Sequence, residues 1–126
     1  MVRVLIVDDQ EPFRLAARMV VELTDGFEVA GEVESGEASI DVIADLHPDL
    51  VLMDVNLPGI DGLEATRRIM SGVHEGRPVI VLVLSTHEAP EYEQQSLAAG
   101  AASFIPKSEF SPDRLAAAWR EAHAPA

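Results

Sequence analysis

Five short apolar runs, each followed by an amphipathic stretch, constrain this chain most. The runs are "RVLIV" (residues 3–7), "FEVAGEV" (27–33), "DLVLM" (49–53), "VIVLVL" (79–84) and "ASFI" (102–105). The first, third and fourth are nearly continuous and rich in valine, isoleucine and leucine, as expected of central parallel strands covered on both faces. The second alternates apolar with charged residues, which suits an edge strand. The stretches between them read as helices over residues 12–23, 37–46, 62–70, 91–99 and from Ser111-Pro112 to about His123. Ser35 and Asp61 are expected N-caps, Gly100 a stop residue, and Pro12 and Pro112 first-turn prolines. A strand–helix unit repeated five times, with right-handed crossovers, predicts an α/β sandwich around a doubly wound parallel sheet.

In such sheets ligands sit beyond the carboxyl ends of the strands, where the strand order reverses. The first run is followed by Asp8 and Asp9, and the third ends into Asp54. The fourth ends at Ser85 and Thr86, and the fifth is followed by Lys107. The second is followed only by "ESGE". If the second strand lies at the outer edge, in the order 2-1-3-4-5, the ends that carry chemistry belong to four adjacent strands. Lys107 is the only lysine among nine basic residues, the rest being arginine.

Three carboxylates, a hydroxyl and an ammonium are thereby expected to converge. Crowded carboxylates resist full ionisation unless a cation joins them. An oxygen-rich acidic site with room for water suits Mg²⁺. A carboxylate can also attack phosphorus and form an acyl phosphate, and the transferred group then needs positive charge around its oxygens. Lysine, a compact charge with rotatable donors, can pair with a carboxylate before that reaction and with phosphate after it.

The motifs "VLIVDD", "VLMDVNLPGIDGLEATRRI", "VLVLST" and "GAASFIPKS" resemble those of bacterial two-component response-regulator receiver domains, in the right order and spacing across essentially the whole chain. "FEVAGEVESGEASI" and "GLEATRRI" look most like receivers joined to a helix-turn-helix DNA-binding domain. The resemblance implies a flavodoxin-like receiver fold with five strands and five helices. It implies Asp54 as phosphoacceptor, and a Mg²⁺ site formed by Asp8, Asp9, Asp54 and the backbone carbonyl of Asn56. Ser85 becomes the switch hydroxyl, Phe104 the switch aromatic and Lys107 the phosphate-binding lysine. The implied phosphodonor is a sensor histidine kinase or a histidine phosphotransfer protein. The implied readout surface, through which such domains can also form homodimers, is the fourth helix, fifth strand and fifth helix. The positions of Asn56 and His87 are those that tune dephosphorylation in receivers. Two departures from the family pattern stand out. The lysine there often precedes a proline in a cis peptide, whereas Pro106 precedes Lys107 here and Ser108 follows; a cis bond without proline costs about 3–4 kcal/mol. Phe104 also lacks the hydroxyl of the more common tyrosine.

The remaining residues read as structural. His47, His74 and His123 lack metal-ligand spacing and are expected at the surface, as is Tyr92. Glu11 is expected as a first-turn helix carboxylate, and Trp119 as core with Leu115 and Ala122. Pro58-Gly59 and Asp61-Gly62 are turn chemistry. The length, 126 residues, fits one domain over 1–126, with about 120–126 as helix end or start of a linker. Nine basic against 22 acidic residues give a net charge of −13, which disfavours direct contact with nucleic acid or anionic membrane. No run is long enough to span a membrane. The chain has no cysteine and no signal-like N-terminus, which fits a cytoplasmic protein. A haloacid-dehalogenase-type phosphatase would want a second aspartate where Asn56 stands. Nucleotide-binding glycine motifs are lacking. A signalling module rather than a turnover enzyme is expected; the alternative is a receiver-like interaction domain that works without phosphorylation.

Overall fold

The computed structural model describes residues 1–72, 78–86 and 90–123. Its elements run β1 (Val2–Val7), α1 (Glu11–Glu22), β2 (Phe27–Val33), α2 (Gly36–Leu46), β3 (Leu50–Asp54), α3 (Gly62–Ser71), β4 (Ile80–Ser85), α4 (Pro90–Ala98), β5 (Ser103–Pro106), a 3₁₀ turn (Lys107–Glu109) and α5 (Pro112–Ala122). All strand pairs are parallel, and the sheet order is β2-β1-β3-β4-β5, as the pattern of strand ends predicts. Three helix starts follow from their caps. The Ser35, Asp61 and Ser111 side chains accept from the backbone N–H groups of Ala38, Glu64 and Arg114 at 3.1, 2.8 and 3.1 Å. Gly100, at φ +108°, ends α4 in the left-handed region that glycine enters freely.

Strand periodicity divides the core in two. Leu5, Val7, Val51, Met53, Val81 and Val83 face α2, α3 and α4, packing with Ile43, Leu63 and Ile69. Val4, Ile6, Leu50, Leu52, Leu82, Leu84 and Ile105 face α1 and α5, packing with Ala17, Val21, Leu115 and Ala118. The central strands are thus buried on both faces, which is why their sequences read as apolar throughout.

The second run is not a plain alternating strand. Val4 pairs with Val29, but Leu5 pairs with Gly31, so Ala30 is an extra residue in β2. One extra residue inverts the in–out parity. Phe27 and Val29 therefore pack on the α1/α5 side, while Val33 packs on the α2–α4 side. Gly31, beside the bulge, leaves room for α2: a Cβ there would lie 2.8 Å from the Leu46 side chain. The edge of the sheet carries charge: Arg18 makes a two-pronged pair with Glu32 at 2.7 and 3.0 Å. Among the described residues no helix is long and apolar enough to cross a membrane.

Candidate functional site

The site lies where four strand ends meet. Asp8 follows the last residue of β1, Asp54 ends β3, Ser85 ends β4 and Lys107 opens the 3₁₀ turn directly after β5. Asp8, Asp54 and Ser85 are buried, at 1%, 5% and 0% exposure, whereas Asp9 is exposed at the mouth. Carboxylate oxygens of Asp8, Asp9 and Asp54 lie within 4.8 Å of one another. The Lys107 Nζ donates to Asp8 Oδ2 at 2.7 Å and lies 3.5 Å from Asp54 Oδ1. Every one of these residues was expected at the site, and the fold brings them together.

The surroundings hold the acids in place. Asp8 Oδ1 accepts the backbone N–H of Gln10 at 2.8 Å, and Arg14 donates to the Asp8 carbonyl at 2.8 Å. Arg14 in turn faces Glu32 and Glu34 at 3.8 and 3.3 Å. The Asp54 carboxylate accepts the backbone N–H of Asn56, and burial, reinforced by the charge of Asp8, pushes its pKa up to about 6 against the pull of Lys107 and that N–H. Three carboxylates thus lie together with one ammonium, which pairs with Asp8 and Asp54, and the deficit of positive charge falls on Asp54. A set of three hard oxygen donors short of one cation fits a small divalent ion such as Mg²⁺.

Gly62 is more than a turn residue. A Cβ at Gly62 would sit 2.0 Å from the backbone oxygen of Asp54, so the start of α3 packs directly onto the residue that carries the central carboxylate. Its N–H donates to the Val55 carbonyl at 2.9 Å, tying helix to strand end. Gly59, at φ +74°, needs the left-handed region and has the Glu37 carboxylate against it.

Phe104 pairs with Val83 and Pro106 with Ser85. Phe104 packs half-buried at the edge of the α2–α4 core, two residue pairs back along the ladder from Ser85 and therefore on the same face. Thr86, the neighbour of Ser85, is exposed, which favours Ser85 as the inward hydroxyl. Tyr92, expected at the surface, instead packs half-buried against the same cluster as Phe104; its single ring can reach the core because α4 otherwise buries only Ser96. His47 is exposed and ends α2 at φ +49°, and exposed His123 meets Trp119 at a tilt of 52° with centroids 4.2 Å apart. Trp119, expected in the core with Leu115 and Ala122, is half-buried against it; Ala122 is also half-buried, while Leu115 is fully buried. The Trp119 ring meets Phe27 edge-on at 6.1 Å. Glu11 is exposed in the first turn of α1. His74 and His87 lie outside the described residues. No cis peptide bond occurs among the described residues, so Lys107–Ser108 is trans. Sequence reasoning missed Phe13, whose ring lies under the Lys107 ammonium at 4.1 Å from Nζ to the ring centroid.

Residues 4–120 match the response regulator receiver domain family. Among curated relatives, the response regulator GacA of Pseudomonas viridiflava is 40% identical over 107 residues, covering 85% of this chain and 49% of that protein. A protein-glutamate methylesterase/protein-glutamine glutaminase of Methanosarcina mazei is 38% identical over 113 residues, covering 90% of this chain and 31% of that protein. The signal receiver domain of the response regulator NarL from Mycobacterium tuberculosis superposes with a TM-score of 0.85 at 31% identity, over 98% of both chains. The chain spans about half or less of the length of these curated relatives.

Proposed function

The chain belongs to the response regulator receiver domain family, and from that premise we propose that Asp54 accepts a phosphoryl group and that this switches a distant surface. The observation that carries the reading is the Lys107 ammonium, 2.7 Å from Asp8 and 3.5 Å from Asp54, at the meeting point of four strand ends. An Asp54 carboxylate oxygen attacks the phosphorus of a phosphohistidine; the P–N bond breaks and the imidazole leaves. The product is an acyl phosphate on Asp54. Mg²⁺ held by Asp8, Asp9, Asp54 and the backbone carbonyl of Asn56 would supply positive charge against the phosphoryl oxygens. Lys107 turns from Asp8 to a phosphoryl oxygen, and the Ser85 hydroxyl donates to another. Ser85 and Phe104 lie on the same face of neighbouring strands, so movement of Ser85 frees the space into which Phe104 turns. Lacking a hydroxyl, Phe104 reports the switch through burial alone. The face of α4, β5 and α5 is then the output, for a partner or a second copy, through a two-state equilibrium.

The phosphodonor is a sensor histidine kinase or a histidine phosphotransfer protein. A docking strip for it runs down α1 from the site: Leu15, Met19 and the C-cap residue Leu23 follow one another at helical spacing and are 51%, 55% and 71% exposed. The cytoplasm is the compartment where such a donor meets this domain. The relatives named above carry different activities in their names, so a receiver of this kind serves an output supplied elsewhere; the net charge of −13 argues that this domain itself does not touch DNA. The test is to locate the modification. After incubation with a small acyl phosphate, borohydride reduction converts an aspartyl phosphate to homoserine, which peptide sequencing by mass spectrometry should find at position 54. Homoserine at position 8 or 9 instead would refute the assignment.

A further inference from the structure

We propose that Phe13 is a positioning residue for the Lys107 ammonium, holding it by the face of its ring; this rests on the reading of Asp54 as phosphoacceptor. The ammonium has carboxylates on one side, Asp8 at 2.7 Å and Asp54 at 3.5 Å. On another side it has the Phe13 ring, 4.1 Å from Nζ to centroid. The lysine side chain is only 10% exposed. A free lysine on a four-carbon stem would reach for water. An aromatic face attracts the cation but offers no lone pair, so it does not compete with oxygen acceptors for the N–H donors. The ammonium can therefore swing from Asp8 to a phosphoryl oxygen on Asp54 while the ring keeps it at the site.

Phe13 is itself well placed to act as a fixed wall. It sits in the first turn of α1, the helix that follows the acidic pair. Its ring meets that of Phe110 at 6.4 Å and 41°. Phe110 closes the 3₁₀ turn by donating its N–H to the Lys107 carbonyl at 3.2 Å. One aromatic pair thus steadies the lysine at both ends, the backbone through Phe110 and the ammonium through Phe13. It also joins the β1–α1 corner, which carries Asp8 and Asp9, to the β5–α5 corner, which carries Lys107.

The sole lysine of the chain makes the test direct. With lysine-selective isotope labelling, one side-chain signal reports the contact, and ring current from Phe13 should move its Hε resonance upfield. That displacement should vanish in Phe13→Leu and persist in Phe13→Tyr. The rate of phosphoryl gain from a small acyl phosphate with Mg²⁺ should fall about 3- to 10-fold in Phe13→Leu and stay within about twofold of wild type in Phe13→Tyr. Trifluorophenylalanine at position 13, which keeps the ring's shape and drains charge from its face, should slow the reaction as Phe13→Leu does. In a Lys107→Ala background Phe13→Leu should have no further effect. A Phe13→Leu rate equal to wild type, a fluorinated ring without effect, or the same loss in the Lys107→Ala background would overturn the proposal and leave Phe13 as packing. A wild type that gains no phosphoryl group would overturn the phosphoacceptor reading, and this proposal with it.

Discussion

Asp54→Asn keeps the side-chain shape and removes one buried charge, and its effect on stability follows from the electrostatics of the site. Burial and the Asp8 charge raise the Asp54 pKa from 3.8 to about 6. A rise of about two units at about 1.4 kcal/mol each is about 3 kcal/mol before screening. The mouth of the site is open to water beside exposed Asp9, so about 1–2 kcal/mol is the better expectation. The sign is set by the direction of the shift. The native state holds its proton more tightly than the unfolded chain, so this group favours folding below pH 3.8 and that contribution is lost as pH rises through about 6. In chelator at pH 7.5, Asp54→Asn should therefore be more stable than wild type by about 1–2 kcal/mol. The difference should shrink to about half near pH 5 and disappear below the ordinary carboxylate range. Urea unfolding followed by the fluorescence of Trp119, the only tryptophan, measures it. Saturating Mg²⁺ should reverse the order, because an ion bound only by the native wild type stabilises it, by about 2.7 kcal/mol at a hundredfold excess over Kd. A variant no more stable than wild type in chelator at pH 7.5 would refute the reasoning.

Lys107→Ala should still permit modification of Asp54 but uncouple it from partner binding, read as equal partner affinity before and after phosphorylation; normal coupling would count against the lysine's role. Gly62→Ala should cost about 2–3 kcal/mol or more in urea unfolding, because its Cβ would collide with the Asp54 backbone at 2.0 Å. Gly26→Ala should cost only about 1 kcal/mol, since that glycine, at φ +87°, has nothing within 4 Å of the Cβ position. Leu15→Asp with Met19→Asp should slow phosphoryl transfer from a cognate phosphohistidine protein at least about tenfold, the cost of losing roughly 1.4 kcal/mol or more of buried apolar contact. The same pair should leave transfer from a small acyl phosphate unchanged.

The parts of the fold that announced themselves were those governed by local chemistry. Apolar runs buried on both sheet faces cannot hide their period, and each ended on a residue whose polarity broke the run: Asp8, Asp54, Ser85 and Lys107. Helix starts were legible because Ser35, Asp61 and Ser111 cap by their own side chains. What stayed hidden depended on contacts made across the chain. The β2 bulge at Ala30 changes which face Val33 occupies, yet its only trace in the sequence is Gly31. The turn after β5 is three residues long, too short to show a period. The pair of Phe13 and Lys107 joins opposite ends of the chain, and a phenylalanine in an amphipathic helix reads first as core. Tyr92 looked exposed because α4 has a weak apolar face, and only the neighbouring strand shows why its ring turns inward. Gly62 read as a turn residue because the reason for it is a backbone atom eight positions earlier.

The role of Asp54 is tested most directly by the mass of the intact protein after incubation with a small acyl phosphate, with and without Mg²⁺, for wild type and Asp54→Asn. A gain of one phosphoryl group in wild type, dependent on Mg²⁺ and lost in Asp54→Asn, is the predicted result. An equal gain in Asp54→Asn, or a gain in wild type indifferent to Mg²⁺, would contradict it.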